Sequence, residues 1–508
     1  MANFPMVKFF VENAWQTNIP QEIQTEIQTQ SDIKLATEIY WQHLSMDYHD
    51  LPDNFKKFRT FLSNAKKHHL ESYNTVWIAP EELMKKFNAN NHLDGPPIKG
   101  FMSAKKNHEV EIMADVIACM CGPRSAQSQQ KLCIIDAGDG KGYLSTRLSL
   151  EHNLKVLGVD CNPVNTKGAI ARSEKLERRW EGMRNKAEEI ASGKEIVENK
   201  MNRRKKQRER RAQKETNKPK PMPAINDNYK NATYFITPQT NFTQLFNDHF
   251  ETDESAGLCL TGLHTCGNLA PSCLRIYTEN EQISAVCNIG CCYHLLTEQF
   301  NNFVHEKISR EKSPNSKRKQ ICKNFDDLSI TTEKVYGFPM SEYLIGQKME
   351  LGRNARMAAC QSLYRTIEKR EIPHDHLFYR AILEVLFKRK FPQYLDRIEV
   401  GRMKQCQSFV EYCRKAAKRN PWLQFDAITD AELNELHNEF KDERARIDLY
   451  HLMRITIATV VEGAIMLDRL LYLKENEQNV GVSYLVRFFD PVISPRYFGI
   501  VALKSFKQ

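Results

Sequence analysis

The sequence predicts an α/β domain built on a mostly parallel β-sheet, and two observations carry this prediction. An apolar segment, residues 132–135, ends in Asp136 and runs into a loop with three alternate glycines, which a helix-compatible segment follows. A second apolar segment ends in Asp160, about twenty residues past the glycine loop, where doubly wound folds hold a ribose. Glycine lets a ligand approach the backbone closely because it has no Cβ atom. The stretch therefore predicts a binding site for a ligand that contains a nucleoside.

Further elements continue this alternation along the chain. The predicted strands cover residues 132–136, 155–160, 232–236, 257–263 and 284–290, and a terminal antiparallel hairpin covers 482–489 and 497–504. Amphipathic helices are predicted over 353–367, 376–389 and 448–473. At 508 residues the chain exceeds one compact domain. The predicted ranges are 1–95 (helical N-terminal region), 96–300 (sheet core with a charged helical insertion at 166–230), 301–450 (helical insertion) and 451–508 (last helix and hairpin).

The glycine spacing indicates the class of cofactor. Dinucleotide-binding loops have the pattern G-x-G-x-x-G, whereas this loop has Asp136, Gly138, Gly140 and Gly142 at alternate positions. An acid followed by alternate glycines resembles motif I of class I S-adenosylmethionine (SAM) methyltransferases. We therefore expect these four residues to hold the methionine end of SAM, and Asp160 to hold its ribose hydroxyls.

A predicted helix begins near residue 103, just before the first strand, and carries Lys105, Lys106, His108 and Glu109 in its first turns. Helix N-termini and lysines both favour anions, so this helix can approach the carboxylate of SAM. A solvated helix face explains the same residues and is the simpler interpretation on spacing alone. We retain His108 as a candidate cofactor contact.

Two unusual segments follow the fourth and fifth predicted strands, at the edge where ligands bind open α/β sheets. They are His264-Thr265-Cys266-Gly267 and Gly290-Cys291-Cys292-Tyr293-His294. The chain lacks the Asn/Asp-Pro-Pro-aromatic tetrapeptide that amino-group methylases often carry. An exocyclic base amine is therefore disfavoured as the acceptor.

Three interpretations of these two segments compete. Thiolates and imidazoles are good zinc ligands, but the spacings of the two histidines and three cysteines match no zinc knuckle. A nucleophilic cysteine, as in pyrimidine C5 methylation, needs a Pro-Cys context that is absent. The favoured interpretation is that small, soft side chains line a tight cofactor pocket, with His264 as a base or substrate anchor. We therefore predict no metal and name His264, Cys291 and Tyr293 as the catalytic candidates.

Most of the net charge lies in one stretch. Residues 200–220 hold eleven Lys/Arg and two Glu, a net charge of +9 out of +10 for the whole chain. The rest of the protein is nearly neutral, so the total does not imply a basic groove elsewhere. A solvated charged helix, a nuclear import signal, or a contact with the phosphates of RNA or a ribosome explains such a run. The candidate contact lies between Arg203 and Lys220.

The sequence also indicates a compartment. It has no run of eighteen apolar residues, so no membrane span or membrane partner is expected. The first twenty residues lack an export pattern, and none of the fourteen cysteines forms a C-x-x-C pair. We expect reduced thiols and a cytoplasmic or nuclear protein. The sequence does not indicate an oligomeric state.

Longer motifs connect these segments to a known family. They are Asp136-Ala-Gly-Asp-Gly-Lys-Gly-Tyr-Leu-Ser, Gly262-Leu-His-Thr-Cys-Gly-Asn-Leu-Ala-Pro, Gly290-Cys-Cys-Tyr-His-Leu-Leu-Thr, Gly337-Phe-Pro-Met-Ser, Leu351-Gly-Arg-Asn-Ala-Arg-Met-Ala-Ala-Cys-Gln, and Leu467-Asp-Arg-Leu-Leu-Tyr-Leu followed by Phe489-Asp-Pro. Together they resemble the methyltransferase-like protein 25 family, from about Lys99 to the C-terminus with an interruption at 170–230. The resemblance implies a Rossmann-like class I methyltransferase fold with a seven-stranded sheet, and SAM as cofactor.

The resemblance also bears on the acceptor. A close sibling has a descriptive name that invokes ribosomal RNA adenine dimethylase, and a tRNA ribose methyltransferase family has a similar His-x-Cys-Gly and Cys-Cys pair. The resemblance does not fix the acceptor, and RNA or a translation-associated protein is favoured. Two residues depart from the expected pattern: Asp139 is an extra acid inside the glycine loop, and Asn268 replaces an acid after Cys-Gly.

Two functions agree with this sequence. The first is a SAM-dependent methyltransferase in which His264, Cys291 and Tyr293 face the acceptor. The second is a catalytically inactive SAM-binding scaffold that contacts RNA or protein through the basic insertion. Methyl transfer from a sulfonium is an in-line displacement that depends on positioning and needs no covalent catalyst.

Overall fold

The structure, a computed structural model, describes residues 1–45, 55–87, 102–121, 132–191, 227–251, 257–301, 335–401 and 403–504. The chain forms two compact units. The helical unit comprises Met1–Asn74 and Glu350–Ile465, and the sheet unit comprises Thr75–Met349 and Met466–Gln508. Each unit is therefore assembled from two separate stretches of sequence.

The described residues of the sheet unit contain an eight-stranded sheet. Its strands are β1 (Trp77–Ile78), β2 (Cys133–Ala137), β3 (Val156–Asp160), β4 (Tyr229–Thr233), β5 (Leu258–Cys266), β6 (Ile283–Cys291), β7 (Val482–Arg487) and β8 (Phe498–Leu503). The order across the sheet is β4-β3-β2-β5-β6-β8-β7-β1, and β8 is antiparallel to both of its neighbours. The Rossmann-like class I methyltransferase sheet that the resemblance implied is confirmed, with the short β1 added at one edge.

The strand positions agree with the apolar segments of the sequence. β2 and β8 are buried along their whole length, as expected for strands covered on both faces. The predicted third strand begins earlier, at Tyr229, because β4 pairs along the whole of β3. β5 and β6 extend beyond their predicted ends, to Cys266 and Cys291, which face each other in the register. The terminal antiparallel hairpin is confirmed as β7 and β8.

The α-helices follow the amphipathic segments. In chain order they are α1 (Ala14–Asn18), α2 (Gln21–Glu26), α3 (Gln30–Ser45), α4 (Lys56–Lys67), α5 (Pro80–Lys86), α6 (Ala104–Cys121), α7 (Tyr143–Glu151), α8 (Pro163–Ala191), α9 (Phe242–Asn247), α10 (Leu269–Glu279), α11 (Glu342–Gly346), α12 (Arg353–Ala358), α13 (Leu363–Glu368), α14 (Asp375–Lys390), α15 (Phe409–Ala417), α16 (Asp430–Phe440), α17 (Arg444–Glu475) and α18 (Glu477–Val480). In the part of the chain that the structure describes, none of these helices has the length and apolar content to cross a membrane.

The predicted single helix over 353–367 was wrong. The structure has two short helices, α12 and α13, in its place. The Ser362 hydroxyl accepts a hydrogen bond from the Arg365 N–H at 3.2 Å and so begins a new helix. The apolar spacing continues through Ser362 and so predicted one helix, but the serine side chain caps the start of a second helix there.

A continuous apolar core holds the helical unit together. It joins side chains from the first stretch, such as Ile39 and Phe58, to side chains from the second, such as Leu386 and Met453. The sequence placed these side chains in three separate ranges, 1–95, 301–450 and, for Met453, 451–508. Apolar periodicity shows that a helix face is buried, but it does not show which helix covers that face.

The charged insertion predicted at 166–230 is described only in part. α8 covers its beginning, and β4 starts at Tyr229. The basic residues between Arg203 and Lys220 lie outside the described residues. Their predicted contact with RNA or a ribosome therefore stays a prediction.

Candidate cofactor and acceptor site

The glycine loop joins the end of β2 to the start of α7. Gly138, Gly140 and Gly142 have φ angles of +79°, +62° and +66°. This left-handed region costs other L-residues about 1–2 kcal/mol each, so glycine is the residue that fits. The Gly138 N–H donates to the Val159 carbonyl at 2.8 Å, which fixes the loop to β3. The tight turn predicted at this strand end is confirmed.

The three glycines differ in their surroundings. A Cβ atom at Gly142 would collide with the Tyr229 hydroxyl, and one at Gly138 would lie 3.1 Å from Leu269 Cδ2. At Gly140 the nearest atom is the Gly138 carbonyl oxygen, 3.7 Å away. Gly142 is therefore needed for packing, whereas Gly140 faces open space that a ligand can fill.

Asp139, the extra acid in the loop, has a structural explanation. Its Oδ2 accepts hydrogen bonds from Tyr229 Oη at 2.6 Å and Asn231 Nδ2 at 3.1 Å, and its Oδ1 accepts from Ser145 Oγ at 2.7 Å. A Cβ atom at Gly158 would collide with the Asp139 carboxylate. The Asp139 side chain therefore joins the loop to β4 and α7 by hydrogen bonds, and it packs against β3 at Gly158.

Asp136 is buried at the end of β2. It is 3% exposed, and its Oδ2 lies 2.8 Å from Ser145 Oγ, the hydroxyl that also lies 2.7 Å from Asp139 Oδ1. Burial raises the pKa of Asp136 well above its usual value, and the neighbouring Asp139 carboxyl raises it further. Burial also raises the pKa of Asp139, although hydrogen bonds from Tyr229 and Ser145 oppose the effect. The predicted cofactor contact of Asp136 stays a prediction, and its burial favours a role in supporting the loop.

Asp160 ends β3 beside the glycine loop. Its Oδ2 accepts a hydrogen bond from the Gly140 N–H at 3.0 Å, and its Oδ1 accepts one from the Asn162 N–H at 2.7 Å. Asn165 Nδ2 lies 3.2 and 3.3 Å from the two oxygens. The side chain is only partly buried. The structure therefore brings together Asp160 and the loop, as the sequence predicted, and the ribose contact itself stays a prediction.

His264 lies at an irregularity in β5. The register with β6 shifts between Leu263 and Thr265, and His264 has a φ of +67°. Non-glycine residues with positive φ are uncommon, and they cluster at functional sites. The bulge aims the imidazole at α6, where Nε2 lies 3.1 Å from Glu109 Oε2. The His264 side chain remains 31% exposed, so a ligand can reach it.

Glu109 is a site residue whose pairing the sequence did not reveal. It is 1% exposed, accepts a hydrogen bond from Ser494 Oγ at 2.6 Å, and has Lys105 Nζ at 3.5 Å. Burial alone would raise the pKa of Glu109, but the His264 and Ser494 hydrogen bonds and the Lys105 charge hold it below its usual value. The two paired residues are 155 positions apart, and no local signal joins them. A buried, ionised carboxylate fixes the orientation of the imidazole ring.

His108 contacts the loop between β7 and β8. Its Nε2 accepts a hydrogen bond from the Asp490 N–H at 3.1 Å, and its ring meets the Phe489 ring edge-on at 5.8 Å. The neighbouring Lys106 places its ammonium 4.0 Å from the centre of the Tyr143 ring, at the start of α7. These contacts give no direct support to the predicted cofactor role of His108.

Three thiols meet where β5 and β6 end. Cys266 Sγ lies 3.2 Å from Cys291 Sγ and 3.5 Å from Cys292 Sγ, and the last two are 3.7 Å apart. Contacts with the other two thiols raise the pKa of the buried Cys291 and lower that of Cys292. No disulfide joins the cysteines in the described ranges. The catalytic candidate Cys291 is thus one member of a three-thiol cluster.

Tyr293 is 1% exposed. Its hydroxyl donates to Met466 Sδ at 3.8 Å, and its ring lies 5.7 Å from the Arg469 guanidinium and 5.2 Å from that of Arg496. An acceptor cannot reach a fully buried ring. The position of Tyr293 therefore does not support the acceptor-facing role predicted for it.

Asn268, the second departure from the family pattern, holds the segment that follows β6. Its Nδ2 donates to Thr297 Oγ1 at 2.8 Å, and its Oδ1 accepts from the Thr297 N–H at 3.0 Å. An amide provides both a donor and an acceptor, whereas a carboxylate only accepts. The replacement of an acid by asparagine is therefore accounted for by this contact.

Comparisons with known proteins agree with this architecture. Residues 105–299 match the family described as a methyltransferase domain. The chain is 30% identical, over 484 residues, to the mouse protein named probable methyltransferase-like protein 25; the match covers 80% of this chain and 76% of that protein. The human protein of the same name is 29% identical over 483 residues, which cover 80% and 75% of the two chains. No solved structure matches the chain.

Proposed function

Because the chain belongs to the methyltransferase-like protein 25 family and contains a methyltransferase domain, we propose that it binds SAM and transfers the methyl group to an acceptor. One observation carries the proposal. The left-handed glycine loop lies at the carboxyl end of β2, with its Gly140 N–H bonded to Asp160 at the end of β3. A ligand with a nucleoside and a polar tail fits between a backbone turn and an acid in this arrangement.

The described residues fit SAM as the cofactor. A side chain would fill the open space at Gly140, which a ligand can use instead. The two Asp160 oxygens accept the Gly140 and Asn162 N–H groups. Ribose hydroxyls can take the place of the longer contacts with Asn165 Nδ2. When bound, SAM supplies an electrophilic methyl group on a sulfonium. Asp136 and Asp139 support the loop through Ser145.

His264 and Glu109 form the acceptor side of the proposed site. If Glu109 accepts a hydrogen bond from His264 Nε2–H, the other ring nitrogen, Nδ1, is the one that takes a proton from an acceptor. The lowered pKa of Glu109 keeps its carboxylate charged, so it can accept the Nε2–H hydrogen bond throughout the proton transfer. Glu109 acts through His264 and is therefore a positioning residue. A hydroxyl, thiol or amine acceptor suits this arrangement.

The proposed acceptor is RNA or a protein of the translation apparatus. The support for RNA is the net charge of +9 in residues 200–220, which can contact phosphates through the part between Arg203 and Lys220. The alternative is a scaffold that binds SAM without turnover and contacts RNA or protein through the same residues. Both functions need the cofactor pocket, so SAM binding is the first quantity to measure.

Calorimetric titration of the full chain with SAM tests the cofactor. We expect binding by the wild type and a loss of at least about tenfold in affinity, about 1.4 kcal/mol, for Asp160→Ala. Asp227→Ala is the matched control, because its carboxylate is 89% exposed and lies 3.9 Å from Lys230. No binding by the wild type, or equal losses in both variants, would contradict the proposal.

Methyl transfer from radiolabelled SAM into an extract of knockout cells then separates the enzyme from the scaffold. Incorporation into RNA or protein that wild type catalyses and Asp160→Ala does not supports the enzyme. SAM binding without any incorporation supports the scaffold. For the RNA contact, deletion of residues 203–220 is expected to weaken RNA binding and reduce its salt dependence. Unchanged binding at moderate salt would exclude this stretch as the contact.

A further inference from the structure

We propose that Cys266, Cys291 and Cys292 form a binding site for a thiophilic divalent cation, with zinc as its ion. The sequence favoured a metal-free pocket lining at this place, because the ligand spacing matches no zinc motif. The geometry favours a metal site instead, because the pairing of β5 with β6 brings together cysteines that are distant in the sequence. The proposal does not depend on methyl transfer.

The distances between the three sulfur atoms fit a shared metal. They are 3.2 Å for Cys266–Cys291, 3.5 Å for Cys266–Cys292 and 3.7 Å for Cys291–Cys292. Thiolates at about 2.3 Å from a tetrahedral zinc ion lie about 3.8 Å from one another, whereas disulfide sulfurs are about 2.05 Å apart. The spacing of the three sulfur atoms is thus close to that of three ligands on one face of a zinc tetrahedron. The atoms are too far apart for a disulfide bond.

The backbone fixes these three positions. Cys266 and Cys291 are opposite each other in the parallel register of β5 and β6. Cys292, the next residue, has a left-handed φ of +52°, which turns its side chain toward the same place. Gly267 has a φ of +56°, and its N–H donates to the Cys291 carbonyl at 3.2 Å. The register of β5 and β6 and the left-handed backbone at Cys292 therefore hold the thiols together before any ion binds.

Three protein ligands leave a fourth coordination position. Cys291 is buried, Cys292 is partly buried, and Cys266 is exposed, so the fourth position opens to solvent. Three protein ligands and one open position are typical of catalytic zinc sites, in contrast to closed structural sites. Within the ranges that the structure describes, no other group of three His, Cys, Asp or Glu side chains comes this close together.

Zinc binds the thiolate forms, so it releases every proton that the three sulfur atoms carry in the metal-free protein. Each thiol loses its proton as a zinc–sulfur bond forms, and the resulting complex of Zn²⁺ with three thiolates carries a net charge of −1. No oxidant or reductant takes part. The open position takes water, or a soft donor atom such as a sulfur or an imidazole nitrogen from another molecule.

Metal analysis of the full chain tests the site. The protein is purified without chelator and its zinc content is measured by mass spectrometry. It is then stripped and reloaded with Co²⁺, whose thiolate charge-transfer absorption in the near ultraviolet reports the number of sulfur ligands. We expect one zinc ion per chain, and a cobalt spectrum typical of three thiolates. In Cys266→Ser and Cys292→Ser the affinity for zinc should fall by at least about tenfold.

Cys360→Ser is the matched control, because this partly exposed cysteine lies in the helical unit and its thiol donates to the Arg356 carbonyl. Its metal content should equal that of the wild type. Wild-type circular dichroism in all three variants would exclude misfolding as the cause of the loss. If a variant misfolds, the cobalt spectrum of the wild type still decides how many thiolates bind the ion.

Three results would overturn the proposal. The first is a wild type that takes up neither zinc nor cobalt, and the second is zinc that the Cys266→Ser and Cys292→Ser variants retain at full affinity. The third is a Cys266–Cys291 disulfide in freshly purified, metal-free protein, detected by alkylation before and after reduction. Zinc uptake that depends on these cysteines supports the site even where the same sample binds no SAM, so this proposal and the proposed function fail separately.

Discussion

Polar side chains of the helical unit and of the sheet unit can be compared by their partners. In the helical unit, two buried side chains bond to distant backbone. Arg454 donates to the Ala2 and Asn354 carbonyls, at 3.1 and 2.7 Å, and His69 Nε2 lies 3.0 Å from the Thr456 carbonyl. Such contacts satisfy main-chain groups and join separate stretches of sequence.

In the sheet unit, some buried and partly buried polar side chains contact one another near the ends of the strands. Glu109 contacts His264, and Asp139 contacts Tyr229. A titratable group that faces another titratable group can exchange a proton or bind a ligand, whereas a backbone carbonyl cannot be titrated. Under the proposed function, we therefore expect the chemistry near the strand ends of the sheet unit. The difference in partners also predicts that substitutions in the two units change different measurements.

The largest effect is expected at His264. Replacing His264 with alanine should lower methyl transfer by about 10²–10⁴-fold, the usual contribution of a general base, while the affinity for SAM stays constant. His249→Gln is the control, because His249 is exposed and its Nδ1 bonds locally to the Leu245 carbonyl, in the helix that precedes it. A loss of SAM affinity in His264→Ala would place the imidazole on the cofactor side. Glu109→Gln should shift the pH profile of the rate, an effect that a purely structural role would not produce.

In the helical unit, Phe58→Ala should act on stability instead of activity. Phe58 is fully buried in the apolar core, and truncation of such a ring costs about 3–5 kcal/mol of unfolding free energy. Hydrogen exchange read by mass spectrometry should show the loss in helical-unit peptides, with unchanged SAM affinity in the folded protein. Ile372→Ala, at a side chain that is 58% exposed, should change stability by less than about 0.5 kcal/mol. A loss of SAM affinity in folded Phe58→Ala would contradict the expectation that substitutions in the helical unit change stability and not cofactor binding.

The pH dependence of the helical unit should involve His69. Burial lowers the pKa of His69 to about 4, against 6.5 for the exposed side chain. Between these values the unfolded chain binds a proton that the folded chain does not, so stability is full above pH 6.5 and falls as the pH decreases toward 4. The total contribution is at most about 3 kcal/mol. Unfolding of wild type and His69→Gln at several pH values should show a flatter profile for the variant, and exposed His68→Gln should behave as wild type.

Two glycines of one loop should differ in what their replacement costs. Gly140→Ala is expected to cost about 1–2 kcal/mol for its left-handed backbone, and to weaken SAM binding because its Cβ enters the open space. Gly142→Ala carries the same strain and a collision with Tyr229, which should add about 1–3 kcal/mol. Urea unfolding and SAM titration of both variants measure the two quantities. Equal stability losses would contradict the different surroundings of the two glycines.

Local signals in the sequence predicted the sheet and its glycine loop. Apolar runs that end in Asp136 and Asp160 located β2 and β3, and the alternate glycines located the turn. The contacts of the site could not be predicted in this way. Glu109 meets His264 only through the packing of α6 at the end of β5, and a left-handed Cys292 has no sequence signal of the kind that glycine provides. Non-local contacts and strained backbone depend on the whole fold.

The position of β8 has a consequence for how the protein is made. β8 is the last strand along the chain, yet it lies between β6 and β7 in the middle of the sheet. Residues 285–288 of β6 pair with residues 500–503. This edge of β6 therefore stays unpaired until the ribosome has translated the helical stretch between them. During that time β6 is an unpaired sheet edge in the nascent chain. Such an edge can pair with another strand or bind a chaperone. A premature stop a few codons before residue 500 would leave the sheet open at its centre.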